Sequence, residues 1–175
     1  MQGNLPSREY LAGLFQNVDK DRSGSITANE LGAALLNGSM SPFNPETIRL
    51  MIGMFDRDNN GTINFEEFCS LWKFITDWQN CFKNFDRDNS GTIDVNEFRQ
   101  ALIMFGYRLQ ESLVCLMHKK FDRHGRGTIY FDDFIQCCII LQNLTSAFRK
   151  KDSDLDGVVT LHYEEFICLV LDAKV

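Results

Sequence analysis

The chain has 175 residues, a net charge of −6, a pI near 5.0 and 44% hydrophobic residues, which suits one compact domain or two joined lobes and excludes a disordered chain. An acidic surface without a basic stripe excludes a nucleic-acid partner and favours metal cations. The longest uncharged run, Phe134 to Phe148, is interrupted by Gln136, Gln142, Asn143 and Thr145 and falls short of a bilayer span, so it reads as a buried helix.

Residues 1–7 read as a short tail without a basic stretch followed by an apolar one, which makes the cytosol the default compartment. From residue 8 to 175 a pattern recurs: a helix, then DxDxSG or a relative of it, then an aliphatic residue and an acidic one. The loops begin at Asp19, Asp56, Asp86, Asp122 and Asp152, in steps of 37, 30, 36 and 30 residues. Each step holds a 12-residue loop and flanking helix, so the chain is predicted to be all-α, with five helix–loop–helix units of the EF-hand kind.

The entering helices carry apolar residues one and four positions ahead of their loops, as in Phe15 and Val18, Ile52 and Phe55, and Phe82 and Phe85. Asn44 before Pro45 predicts an N-cap with proline at the first helical position. The 30-residue steps leave room for a single helix, so residues from about Glu67 to Phe85 should leave one unit and enter the next. At the eighth loop position stand Ile26, Ile63, Ile93, Ile129 and Val159, β-branched residues suited to a short antiparallel pairing of loops. Units one and two, and three and four, can pair within the chain. The fifth is left with a free strand edge, which predicts a dimer through that unit.

Calcium takes oxygens from loop positions 1, 3, 5, 7, 9 and 12, with glycine at 6 for the sharp turn. The first loop, residues 19–30, offers Asp19, Asp21, Ser23, the Ser25 carbonyl, Thr27 through water and bidentate Glu30. The second, 56–67, offers Asp56, Asp58, Asn60, the Thr62 carbonyl, Asn64 and Glu67. In the third, 86–97, Asp86, Asp88, Ser90, the Thr92 carbonyl, Asp94 and Glu97 include four carboxylates, predicting the tightest site. Magnesium is a competitor, above all at the second loop. The fourth loop, 122–133, has His124 and Arg126 where oxygens belong and the shorter Asp133 at its end, so it should take no metal. The fifth, 152–165, begins with Asp152, Asp154, Asp156 and the Val158 carbonyl, but Tyr163 holds position 12; Glu165 or Glu164 would have to reach back, which predicts a weak site. Three dications would bring the net charge from −6 to zero.

Beyond the loop residues, VDKDRSG at 18–24, SPFNPETIR at 41–49, WKFITDWQN at 72–80, DRDNSGTID at 86–94, FGYRL at 105–109 and KFDRHGRGTIYFDDFIQ at 120–136 resemble the penta-EF-hand family over nearly the whole chain. The match is closest in the branch of the apoptosis-linked adaptors. The resemblance implies that the first and third hands are the main calcium sites, that the fourth is inactive, and that the weaker fifth pairs subunits into a homodimer or heterodimer. Two departures stand out. The second loop, defective in that branch, is intact here, and few residues precede the first helix where the family commonly carries a Gly/Pro-rich extension. The resemblance also implies an aromatic pocket for Pro-rich extended segments of trafficking proteins, formed here by Phe68, Trp72, Phe105 and Arg108, with Arg108 as a gate tied to the third hand. Aromatic walls suit a polyproline II ligand. Phe68 with Trp72, and Trp78 with Phe82 and Phe85, share helical faces that calcium could bare, although such a stripe is also the ordinary signature of core.

The expected function is therefore a calcium sensor and adaptor in membrane-trafficking or cell-death pathways. It would be cytoplasmic, with visits to the nucleus and to endoplasmic-reticulum or endosomal membrane surfaces through its partners. The rivals are a passive calcium buffer and a regulatory subunit of a calpain-type protease. Catalysis is not expected: Cys115 and His118 share a helical face, and His162 lies near Asp156, but no oxyanion loop or third orienting group accompanies them. The six cysteines, 69, 81, 115, 137, 138 and 168, show no CxxC spacing and read as reduced core thiols.

Overall fold

The computed structural model describes residues 6–37 and 39–172, so most of the predicted tail lies outside the described residues. The described residues form eight helices: α1 (Arg8–Val18), α2 (Ala28–Ala34), α3 (Pro45–Phe55), α4 (Phe65–Phe85), α5 (Val95–Met104), α6 (Glu111–Phe121), α7 (Phe131–Arg149) and α8 (Tyr163–Asp172). Two short strands, β1 (Ile93–Asp94) and β2 (Thr128–Ile129), complete the set. Loop spacing explains the helix count. Each long step accommodates an exiting and an entering helix, α2 with α3 and α5 with α6, whereas each short step is spanned by one, α4 or α7.

Helix ends follow the sequence signals. Asn44 caps α3 by accepting from the Glu46 N–H at 3.0 Å, and Pro45 takes the first turn. The first aspartate of every loop ends its entering helix, its N–H donating to the carbonyl four residues back, from Asp19 to Phe15 at 2.8 Å through to Asp152 to Phe148 at 3.0 Å.

Loop pairing joins the units two by two. Ile26 bridges Ile63 antiparallel, and Ile93 pairs with Ile129 in the β1–β2 ribbon; all four side chains are fully buried. Val159 belongs to neither pairing, and around it Leu155, Val158, Tyr163, Phe166 and Leu171 are exposed. Between the paired units runs α4, whose Phe68, Leu71 and Ile75 are core and whose Phe82 meets Phe131 and Phe134 edge-on at 5.4 and 5.5 Å. Phe134 and Ile135 of α7 are buried, as expected of the uncharged run, and no helix among the described residues is long and apolar enough to cross a membrane.

Candidate metal centres

The first residue of each loop is aimed inward by the turn that glycine allows. Asp19 Oδ2 accepts from the Gly24 N–H at 2.9 Å, Asp56 Oδ2 from Gly61 at 2.8 Å and Asp86 Oδ2 from Gly91 at 2.9 Å. Gly24, Gly61 and Gly91 all have φ near +80°, where a side chain would be strained. Position 4 is left-handed too, at Arg22, Asn59, Asn89 and Leu155, a requirement that ligand counting overlooked.

The closing glutamates have a second task. Glu30, Glu67 and Glu97 are each the third residue of a capping box, with Thr27, Asn64 and Asp94 as the caps. Glu97 Oε2 accepts from the Asp94 N–H at 3.0 Å, and its Oε1 from the Arg87 N–H across the loop at 2.9 Å. Glu30 does the same with Thr27 and Lys20, and Glu67 with Asn64 and Arg57. One carboxylate thus ties both ends of its loop together. Asp94, expected as a fourth carboxylate for the third cage, instead caps α5, its Oδ1 accepting from Asn96 and Glu97 N–H groups at 2.7 and 2.9 Å. The α5 N-terminus needs that acceptor.

These arrangements gather Asp19, Asp21 and Glu30; Asp56, Asp58 and Glu67; and Asp86, Asp88 and Glu97, with ligand oxygens in each group within 4.8 Å of one another. Hydrogen bonding by Ser23 holds Asp21 below the ordinary carboxylate range, and Ser90 does so for Asp88. The Thr27 N–H and then its hydroxyl lower Glu30. Burial would raise Asp56, but the N–H groups of Gly61 and Asn60 outweigh it. Ser23 and Ser90 place their hydroxyls against the carbonyls of Ser25 and Thr92, at 2.9 and 3.1 Å, so positions 5 and 7 converge as expected. In the second loop, Asn60 Oδ1 is engaged by Thr62 N–H at 2.8 Å. Oxygen-only cages of ionised carboxylates fit a hard divalent cation such as calcium.

The fifth loop is incomplete. Asp152, Asp154 and Asp156 converge, but neither Glu164 nor Glu165 joins them. Glu165 Oε2 accepts from the His162 N–H at 3.0 Å, and its Oε1 lies 3.9 Å from Lys151 Nζ. The extra residues before α8 carry it away from the cage. Asp152 Oδ1 is buried without a hydrogen-bond partner, which fits a cation at this position. The Val158 N–H donates to Asp156 Oδ1 at 2.7 Å.

In the fourth loop a guanidinium supplies the positive charge. Arg123 Nε lies 2.7 Å from Asp133 Oδ1, and its NH2 lies 2.8 Å from Asp132 Oδ2. Both aspartates are fully buried, and burial raises Asp133 above the usual carboxylate range despite its partners. Asp132 also accepts from the Asn44 N–H at 2.8 Å and from Asn37 Nδ2 at 3.3 Å, while Asn44 Nδ2 donates to Asp133 and Gln136 at 3.0 and 2.8 Å. The closing acids of this hand are thus bonded to the connection between α2 and α3.

The expected aromatic pocket is rearranged. Phe68 is only 2% exposed and lies in the core, with half-buried Trp72 tilted against it at 5.8 Å. Arg108 is exposed and lines no described cavity. Phe105 instead joins Trp78, edge-on at 5.7 Å, in a cavity of about 720 Å³ between α4, the α5–α6 connection and α7. Tyr107, Cys138 and Leu141 continue its wall, which ends at exposed Arg149 and Lys150. An i, i+4 stripe could not distinguish its core members from those at the cavity. Tyr107 was in view within FGYRL, whereas Arg149 and Lys150 had no local signal.

The thiols depart in part from the expectation that they are core residues. Cys137 and Cys138 are buried, but Cys69 and Cys81 are only partly so, and Cys115 and Cys168 are exposed. Burial pushes Cys137 up to about 12. Cys115 Sγ lies 3.6 Å from Glu111 Oε1, whereas buried His118 has Nε2 3.2 Å from the Ile93 carbonyl, so the two form no nucleophile–base pair.

The EF-hand domain pair model matches residues 8–73 and 75–139. Sorcin from Schistosoma japonicum is 53% identical over 157 residues, 90% of this chain and 91% of its own length. Sorcin from Mus musculus is 41% identical, covering 94% of this chain and 84% of its own. Peflin from Xenopus laevis is 43% identical over 89% of this chain, which spans 55% of that longer protein. A solved structure of a homologue of programmed cell death 6 protein from Leishmania major Friedlin superposes with a TM-score of 0.81 at 34% identity, over 93% of each chain.

Proposed function

The chain belongs to the penta-EF-hand family of calcium-binding proteins, and from that premise we propose that it is a calcium sensor that captures Pro-rich peptide segments of partner proteins. The observation that carries this reading is the position of the cavity. Trp78 lies on α4, which enters the third loop, and Phe105 follows α5, which leaves it. Asp86, Asp88, Ser90, Thr92 and Glu97 would hold the ion, which supplies a divalent charge where three carboxylates converge. Because Glu97 binds the backbone at Arg87 and Asp94, the angle between α4 and α5 depends on where that carboxylate sits. The Trp78–Phe105 wall follows that angle. Aromatic walls of this kind accept a preformed polyproline II segment.

The fifth unit supports a second element of the proposal, assembly with another copy or a family relative. Val159 lacks a strand partner within the described chain, and Tyr163, Phe166 and Leu171 of α8, which follows it, are exposed. Magnesium competes for the second loop, and the protein works in the cytosol, meeting membranes through its partners. The names of its relatives make cell-death pathways one setting for that work.

The test is anisotropy of a labelled proline-rich peptide, titrated with the full chain in calcium and in chelator. Binding should need calcium and should be lost in Trp78→Ala and Glu97→Ala. Binding that ignores calcium, or survives Trp78→Ala, refutes the sensor reading; calcium uptake without any capture favours a buffer.

A further inference from the structure

The cavity is not uniformly apolar. Its α7 wall carries the polar side chains Gln142, Thr145 and Ser146 and then Arg149 and Lys150. Among the described residues no Asp or Glu lines it, although the chain as a whole carries a net charge of −6. Neither cation forms an ion pair with a described carboxylate, whereas the next residue, Lys151, lies 3.9 Å from Glu165. The nearest acid in sequence, Asp152, turns away: it is buried, and its Oδ2 accepts from the Gly157 N–H in the fifth loop. One end of the aromatic cavity therefore presents two cations to solvent.

We propose that this cavity selects extended apolar peptides that carry an acidic side chain, whose carboxylate pairs with Arg149 and Lys150 while Trp78, Phe105 and Tyr107 hold the apolar part. The inference rests on the peptide-capture reading and adds a charge requirement to it. Complementary charge at a cavity rim steers encounter and fixes the register of a ligand more than it adds affinity. An arginine also presents a planar fork that a carboxylate can meet with two hydrogen bonds. The ordinary role of cations here, neutralising the C-terminal end of α7, requires no ligand and predicts a different experimental outcome.

The experiment uses the calcium-loaded full chain and eight-residue proline-rich peptides, acetylated and amidated so that they have no terminal charge. A single glutamate is walked along the peptide, and each glutamate peptide is compared with its glutamine twin by anisotropy. At one or more positions glutamate should bind about threefold tighter at low salt, the scale of a solvent-exposed ion pair, and the gap should close at high salt. In Arg149→Gln/Lys150→Gln the preference should vanish, each glutamate peptide binding no tighter than its glutamine twin. Equal binding of both twins at every position overturns the proposal, as does a preference that survives in the double variant. If the double variant weakens both twins alike and melts earlier, the cations only support the helix and the proposal fails. If no peptide binds wild type, the capture reading itself fails, and this inference with it.

Discussion

Replacing Glu97 with alanine separates the two tasks of a closing glutamate. In calcium-free protein the variant loses two backbone hydrogen bonds to a carboxylate, from Arg87 and Asp94 at 2.9 and 3.0 Å. Bonds to a charged group contribute about 1.5–3 kcal/mol each when well shielded, and this half-buried carboxylate keeps less, about 1 kcal/mol each. The expected loss is therefore about 2 kcal/mol. With a urea slope of about 2 kcal/mol/M, the unfolding midpoint in chelator should fall by about 1 M. With calcium, the third cage also loses its bidentate ligand, and its affinity should fall by about a hundredfold or more, beyond the usual effect of removing a supporting residue. Calorimetric titration reads the second effect and urea unfolding the first. An unchanged midpoint in chelator would show that the capping-box bonds are not formed without metal. Retention of the high-affinity heat would show that the third loop is not the tight site.

Asp132→Ala should destabilise the protein by about 3 kcal/mol in calcium and in chelator alike, because it strips a buried partner from Arg123 and from two amide donors; chemical unfolding checks this. Leu155 has φ of 60° and is 75% exposed, so Leu155→Asn should relieve strain without losing packing and raise stability by about 0.5–1 kcal/mol in thermal unfolding. With a thiol-alkylating reagent at pH 8, mass spectrometry should find Cys115 and Cys168 modified first, while Cys137, pushed up to about 12 by burial, stays intact. Sign matters for the last test: a raised thiol pKa leaves the unreactive protonated form in place at pH 8, so rapid modification of Cys137 there would mean that α7 opens.

The metal loops were legible because their ligands are local. A cage built from positions 1 to 12 of one turn is written in one stretch of sequence, and its spacing decides which oxygens converge. The five-unit order and the fused α4 followed from step lengths alone, and the unpaired edge at Val159 from counting β-branched positions. Other features involve residues far apart in the chain. Arg126 and His124 mark the fourth loop as short of oxygen ligands, but nothing local showed that Arg123 would turn to Asp132 and Asp133, or that Asn44 would meet them from 88 and 89 residues away. The role of Asp94 was misread for a related reason: an acid at position 9 can cap the following helix or join the cage, and the same residue type serves both. Phe68 and Phe105 likewise look alike as aromatics in or beside amphipathic helices; only tertiary packing puts Phe68 inside, edge-on to Phe15 of α1, and leaves Phe105 beside the cavity.

The contact between Asn44 and the aspartates of α7 makes the fourth hand a fixed bearing for the rest of the molecule. A cation that belongs to the chain, unlike a free ion, does not vary with concentration, so the charge that Arg123 brings to Asp132 and Asp133 is constant. Asn44 heads α3, the helix that enters the second loop, while α7 carries Leu141 and Cys138 at the aromatic cavity. A tilt of α3 would therefore bear on α7 and on that wall of the cavity, a link from the first two hands to the far side of the molecule that runs through hydrogen bonds to the Asp132 and Asp133 side chains.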